Sequence, residues 1–281
     1  MPRFELGDAT LAFAVSGEQP DDVPDDLPRD ERTGGPAVVQ LHGLTSSRAR
    51  DDLLGLDLGR GLRGHRLLRY DARGHGLSTG SADPRSYRWT RLADDLLALL
   101  DHVFPGERVH GVGPSMGTAT LLHAALRDRT RFTGLTLVTP PTAWETRRAQ
   151  AEVYEWHASL VERRGLAAFV ALGSDAPQPP ALVGAPVTQP SVSGELLPSI
   201  LRGAAASDLP SPAAVATLRV PALVLAWRGD PSHPTATATR LHELISGSHL
   251  VTASSPDDVR TWPGIIGEHV REHVTLGVPA G

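Results

Sequence analysis

The 281-residue chain contains no cysteine, which excludes disulfides, thiolate metal sites and a cysteine nucleophile. It contains no lysine either, so all 27 basic residues are arginine. Against 32 acidic residues they leave a formal charge of −5. That balance disfavours a nucleic-acid surface, because phosphate binding needs a dense positive patch. With abundant alanine, 28 glycines and 24 prolines, the arginine usage reads as coding bias, and single arginines carry little functional weight. Long apolar runs are missing too: no stretch approaches the roughly 18 apolar residues of a membrane span. Met1-Pro2-Arg3-Phe4-Glu5-Leu6 lacks the basic start and apolar run of a signal peptide. The expectation is a cytoplasmic protein with no membrane and no nucleic-acid partner.

The composition is 40% hydrophobic, enough to bury a large core in one α/β domain with an insertion. Short apolar runs alternate with amphipathic stretches, the rhythm of a mostly parallel central sheet flanked by helices. Phe4–Leu6 and Leu11–Val15 read as an opening antiparallel pair. The Asp- and Pro-rich segment Gly17–Pro36 reads as an acidic surface loop. Further strands are predicted at Ala37–Leu41, Arg66–Tyr70, Val109–Val112, Leu135–Val138, Val220–Ala226 and Leu250–Ala253. Helices are predicted at Thr90–Phe104, Met116–Arg127, Thr235–Ile245 and Trp262–Val274. From Pro140 to Thr217 no strand pattern occurs; Thr142–Leu172 is helical and Gly173–Pro190 is dense in Pro and Gly. Residues 140–217 therefore read as a helical or loop-rich lid inserted into a core of 1–139 and 218–281.

The chemistry centres on Gly113-Pro114-Ser115-Met116-Gly117. G-x-S-x-G has meaning on a sharp turn from strand to helix, which lifts the serine oxygen above the carboxyl edge of the sheet. The flanking glycines are needed because a Cβ there would collide with the turn. Val109–Val112 supplies the strand and Met116–Arg127 the helix, whose amino terminus directs N–H groups toward developing negative charge.

Two more segments follow strands, Leu41-His42-Gly43-Leu44 and Asp71-Ala72-Arg73-Gly74-His75-Gly76-Leu77-Ser78. With these in this order the chain resembles the α/β-hydrolase superfamily. In outline it is nearest to compact-lid enol-lactonases, C–C bond hydrolases and small esterases. The resemblance implies Ser115 as nucleophile and the backbone N–H groups of Leu44 and Met116 as the oxyanion hole. It implies a structural role for His75, and Asp230, just past the strand Val220–Ala226, as the catalytic acid. It also implies a histidine in the loop after the last strand. Ser254-Ser255-Pro256-Asp257-Asp258 stands there instead, with Asp258 where the histidine belongs.

A serine hydroxyl still needs a base. His249 precedes the last strand and falls at its wrong end; His269 and His273 lie on the terminal helix and read as solvated. His233, three residues past Asp230, is either a relocated base or a residue that contacts substrate or fixes the loop. His42 is a further candidate base, and is otherwise expected to shape the oxyanion loop beside the substrate. His110 and His123 read as packed. Trp144 and His157 are expected to face substrate from the lid, and Arg147 or Arg148 reads as solvent-exposed or as a partner for a substrate carboxylate. No H-E-x-x-H occurs among the twelve histidines, so no metal and no cofactor is expected.

The expected function is a cofactor-independent serine hydrolase cleaving a small or medium hydrophobic ester or lactone, with homodimerisation left open. The other reading is a hydrolase-fold protein without its base, serving as a lyase, a cyclase or a ligand-binding protein.

Overall fold

A computed structural model describes residues 1–17, 35–62, 64–174, 178–186 and 188–274. β1 (Arg3–Glu5) pairs antiparallel with β2 (Thr10–Ser16), and β2 pairs antiparallel with β4 (His65–Tyr70). β3 (Gly35–Gln40), β5 (Val109–Pro114), β6 (Phe132–Val138), β7 (Ala222–Trp227) and β8 (His249–Ala253) complete an eight-stranded sheet, with all remaining pairings parallel. The strand order is β1-β2-β4-β3-β5-β6-β7-β8. Parallel neighbours need crossover connections. These run through α1 (Arg48–Leu53), α2 (Trp89–Val103), α3 (Met116–Arg127) and α7 (Thr235–Leu244), and α8 (Pro256–Val274) closes the chain.

Strand residues alternate between two apolar layers, as a pleat of period two demands. Val39, Leu68 and Val224 join the leucines of α2 on one face. Val38, Leu67, Leu223 and Leu225 meet Trp262, Ile266 and Val270 of α8 on the other. On α2 the buried residues Leu92, Leu96, Leu99 and Leu100 recur at helical spacing, and each contributes about 2 kcal/mol of apolar transfer.

Between β6 and β7 the described residues form α4 (Arg147–Ser174), α5 (Leu197–Ala205) and α6 (Pro212–Val215), without a strand. The continuous helix expected from Thr142 begins five residues later, after a 3₁₀ turn at Trp144–Thr146. It also breaks at Gly165, whose φ of 78° and ψ of 172° lie outside helical space. Ala158 and Val161 of α4 share a small core with Leu197, Ile200 and Leu201 of α5.

Two sequence expectations need correction. The last helix starts at Pro256 rather than Trp262, because Ser255 and Asp258 cap it and proline suits its first position. His269 is buried, only 5% exposed, because α8 lays that face against His110 of β5, ring centroids 5.4 Å apart. Apart from Gly17, Gly35 and Pro36, the acidic segment lies outside the described residues, as do 175–177 and 187 in the Pro- and Gly-dense stretch. Among the described residues no helix is long and apolar enough to cross a membrane.

Candidate active site

Ser115 joins β5 to α3 with φ 52° and ψ −111°, a conformation that costs a non-glycine residue about 1–3 kcal/mol. The surroundings enforce it. Ser115 N–H donates to the Val138 carbonyl at 2.9 Å, and Thr118 Oγ1 donates to the Gly113 carbonyl at 2.6 Å. A Cβ on Gly113 would lie 2.6 Å from the carbonyl carbon of Gly117, and one on Gly117 would lie 3.0 Å from Leu41 Cβ. Both glycines are therefore steric requirements of the turn.

At the carboxyl end of β7 the chain turns through Gly229 (φ 74°) into Asp230-Pro231-Ser232-His233. His233 N–H donates to the Asp230 carbonyl at 3.2 Å, closing a turn that puts residues i and i+3 on one side. Thr142 N–H holds the loop through the Ser232 carbonyl at 3.0 Å. His233 Nδ1 lies 2.7 Å from Asp230 Oδ2, and its Nε2 lies 2.8 Å from Ser115 Oγ. Since the carboxylate only accepts, Nδ1–H donates to Asp230 and Nε2 accepts the serine hydroxyl proton. The structure thus brings Ser115, His233 and Asp230 into one hydrogen-bonded chain. The His233 side chain keeps 20% of its exposure, so a small molecule can reach it.

Burial by itself pushes the Asp230 carboxyl up. The hydrogen bond and charge of His233 outweigh it, joined by Trp227 Nε1–H at 2.8 Å and the Ser232 N–H at 2.9 Å, and hold its pKa at about 2. Asp230 is therefore a carboxylate near neutral pH. Trp227 was missed in the sequence. Its ring stands edge-on to His233 at 6.0 Å and stacks on Trp262 at 5.9 Å, so the donor to Asp230 is locked by packing. An aromatic residue at the strand end, three before the acid, was the available signal.

His42 does not join this chain. Its Nδ1 donates to the Gly43 carbonyl at 2.8 Å, and its Nε2 accepts from Ala72 N–H at 2.8 Å. Both ring nitrogens are used and the side chain is buried, so His42 has no free nitrogen to offer the Ser115 hydroxyl. Its bond has a consequence for the loop. C=O and N–H point opposite ways in a trans peptide, so fixing the Gly43 carbonyl also aims the Leu44 N–H. Gly43 packs against Ser115, where a Cβ would lie 3.6 Å from Ser115 Cβ. Met116, first residue of α3, has no intrahelical acceptor for its N–H.

His75 is buried beside His42, with Nδ1 donating to the Arg73 carbonyl at 2.8 Å. Asp71 binds Arg48, and Arg73 binds Asp95, so this segment organises the loop. Asp258 Oδ2 accepts the Ser254 and Ser255 N–H groups at 2.7 and 3.0 Å: the expected histidine position is a helix cap. Trp144 is tied down structurally, its N–H to the Asp208 carboxylate and its Nε1–H to the Pro210 carbonyl at 3.0 Å. His157 is half-buried, its ring edge-on to Phe169 at 5.3 Å. Arg147 fits neither expectation. It is buried between Trp89 and Tyr154 and donates to the Ser207 and Ala204 carbonyls, whereas Arg148 is exposed and pairs with Glu152. His269, Glu272 and His273 bring three groups of metal-ligand type within 4.8 Å, on the outer turns of α8. A search for H-E-x-x-H passes over this reversed H-x-x-E-H order.

A family model described as the alpha/beta hydrolase family matches residues 38–262. A search of curated proteins finds no match. Among solved structures the fold is similar to a hydrolase from Pseudomonas aeruginosa, at 23% identity and TM-score 0.70, covering 99% of this chain and 98% of that one. It is similar to the enol-lactonase from Burkholderia xenovorans at 22% identity and TM-score 0.71, covering 98% and 100%. A thermophilic esterase from Thermogutta terrifontis matches at 20% identity and TM-score 0.71, covering 98% of each. With the family model spanning most of its length, and a serine turn, strand order and crossovers of the kind described, the chain belongs to the alpha/beta hydrolase family.

Proposed function

We propose that this protein is a cofactor-independent serine hydrolase that cleaves a small or medium hydrophobic carboxylic ester or lactone through an acyl-enzyme on Ser115. The observation that carries the reading is the relay from Ser115 Oγ to His233 Nε2 at 2.8 Å and from His233 Nδ1 to Asp230 at 2.7 Å. As Oγ bonds to the substrate carbonyl carbon, His233 Nε2 takes its proton, and Asp230 steadies the resulting imidazolium. The N–H groups of Leu44 and Met116 meet the oxyanion, an effect commonly of 2.7–4 kcal/mol per donor. Collapse breaks the ester bond, and the leaving alkoxide takes the proton from Nε2. Water then attacks the acyl-enzyme with His233 again as base, releasing the acid and restoring Ser115.

We read residues 140–217 as a lid over this site, because Leu44 packs against the shared core of α4 and α5. The substrate is then a small molecule, handled in the cytoplasm. The non-hydrolytic reading rested on Asp258 in the histidine position; the contact of His233 Nε2 with Ser115 Oγ at 2.8 Å favours the hydrolytic reading over it. The deciding experiment is intact-mass analysis after fluorophosphonate exposure, with peptide mapping. One adduct on Ser115, absent in Ser115→Ala and strongly slowed in His233→Ala, is expected. No adduct from two probes of different size overturns the proposal.

A further inference from the structure

A cavity of about 420 Å³ lies between Thr45, Arg50 and Leu54 on one side and Phe169, Leu182 and Pro186 on the other. Its walls are largely apolar, with Leu54, Phe169, Leu182 and Pro186 among them, and Arg50 is the charged side chain that lines it among the described residues. Thr45, the residue after Leu44, lines it as well.

Half-buried Arg50 differs from the buried Arg48, Arg73 and Arg147. Arg48 and Arg73 meet carboxylates, and Arg147 is enclosed by aromatic rings. Among the described residues the partners of the Arg50 guanidinium are neutral: Nε donates to Thr188 Oγ1 at 2.7 Å, and Nη1 donates to the Thr45 carbonyl at 3.1 Å and to Thr45 Oγ1 at 3.3 Å. Among the described residues no carboxylate lies within ion-pair distance of it, and Nη2 has no hydrogen-bond acceptor. The adjacent acid, Asp51, is turned inward to Ser46 Oγ at 2.6 Å. Burial pushes the Asp51 carboxyl up to about 7, so near neutrality it supplies only part of a counter-charge. Burial likewise lowers the pKa of Arg50, the mark of a desolvated cation without full compensation. A half-buried cation with spare N–H groups, at an apolar cavity, is complementary to an apolar chain that ends in an anion.

We propose that Arg50 anchors a carboxylate at the distal end of the substrate, so that the preferred substrates are acyl esters or lactones carrying a negative charge. The inference rests on Ser115 chemistry for its location and adds the substrate class. The two threonine contacts preset the guanidinium, and the apolar walls take the intervening chain.

The test compares para-nitrophenyl hydrogen adipate with its neutral methyl ester, in the wild type, Arg50→Gln and Arg50→Lys. The wild type should favour the acid in kcat/KM by about 10–100-fold, the span of a hydrogen bond to a charged group. Arg50→Gln should abolish that preference through KM while leaving the neutral ester near its wild-type rate. Arg50→Lys should retain part of it. An unchanged ratio in Arg50→Gln, or an equal loss on both esters, would show Arg50 to be only a clamp between residues 45 and 188, and would overturn the proposal. If Arg50→Gln does not fold, the wild-type ratio and Arg50→Lys decide: no wild-type preference, or an undiminished one in Arg50→Lys, overturns it. If the wild type hydrolyses neither ester, the Ser115 reading fails separately. The anchor is then read from calorimetric binding of adipate, which must be present in the wild type and weakened in Arg50→Lys.

Discussion

Asp230 and His233 lie three residues apart and are hydrogen-bonded at 2.7 Å, so carboxylate and imidazole share one turn at the end of β7. The geometry predicts strong, non-additive kinetic effects. His233→Ala should lower kcat at least about 10³-fold with little change in KM, and Asp230→Asn should lower it about 10²–10⁴-fold. Because the two groups act as a unit, the double variant should be no worse than His233→Ala alone. Steady-state hydrolysis of a para-nitrophenyl ester measures all three; near-wild-type kcat in His233→Ala would remove His233 from the mechanism.

What could be read from the sequence was whatever depends on local geometry. The Ser115 turn was legible because a strand, two sterically required glycines and a helix are contiguous there. The strand pattern was legible because alternate residues fill two apolar layers. The role of His233 was only partly legible: spacing brought it near Asp230, but the direction of its ring depends on the turn closed by His233 N–H and on the position of β5 two strands away. Trp227 left only its place at the strand end as a signal, since a donor locked by stacking on Trp262 is a fact of packing, and Arg50 was silent because its threonine partners are distant in sequence or backbone atoms. The cap at Ser255-Pro256-Asp257-Asp258 was legible and was passed over, because that position was read as a missing histidine.

This capping role predicts the outcome of placing a histidine at the customary position. Asp258→His should give no gain in esterase activity, because His233 already holds both partners. It should remove the acceptor for the Ser254 and Ser255 N–H groups. Loss of a cap costs about 1 kcal/mol, or roughly 2–4 °C in Tm for a domain of this size. Thermal unfolding and ester turnover of the variant decide the matter. A large rise in turnover would mean that the base belongs at 258.

Trp227→Phe isolates the indole N–H. The substitution keeps the apolar contact with Trp262 in large part and deletes one donor to Asp230. A carboxylate with one support fewer orients His233 less firmly, so kcat should fall about tenfold, the scale of one hydrogen bond to a charged group. KM should hold. The more exposing variant Trp227→Ala should also lower Tm, which Trp227→Phe should do only slightly. A KM effect in Trp227→Phe would place the indole against substrate instead.

Acid stability follows from the buried histidines. Burial, then the neighbouring His42 ring, pushes His75 down to about 3. Burial, then His273 and His249, pushes His269 down to about 4. Burial holds His110 well below its ordinary value. These rings stay neutral when folded, whereas in the unfolded chain they take protons from about pH 6.5 downward. The unfolded state therefore binds more protons between about pH 6.5 and 4, and stability falls as pH falls through that window. Asp51 works the other way: a folded pKa of about 7 means that its contribution is lost as pH rises from about 4 to 7. One carboxyl opposing several histidines leaves the net slope toward acid lability. Asp230, at about 2, adds its own loss only below about pH 4. Tm should drop by at least about 5 °C between pH 7 and pH 5, and His269→Leu should make that drop smaller by removing one of the groups that protonates on unfolding. A Tm that is flat over this range would mean that the buried rings are already protonated in the native protein.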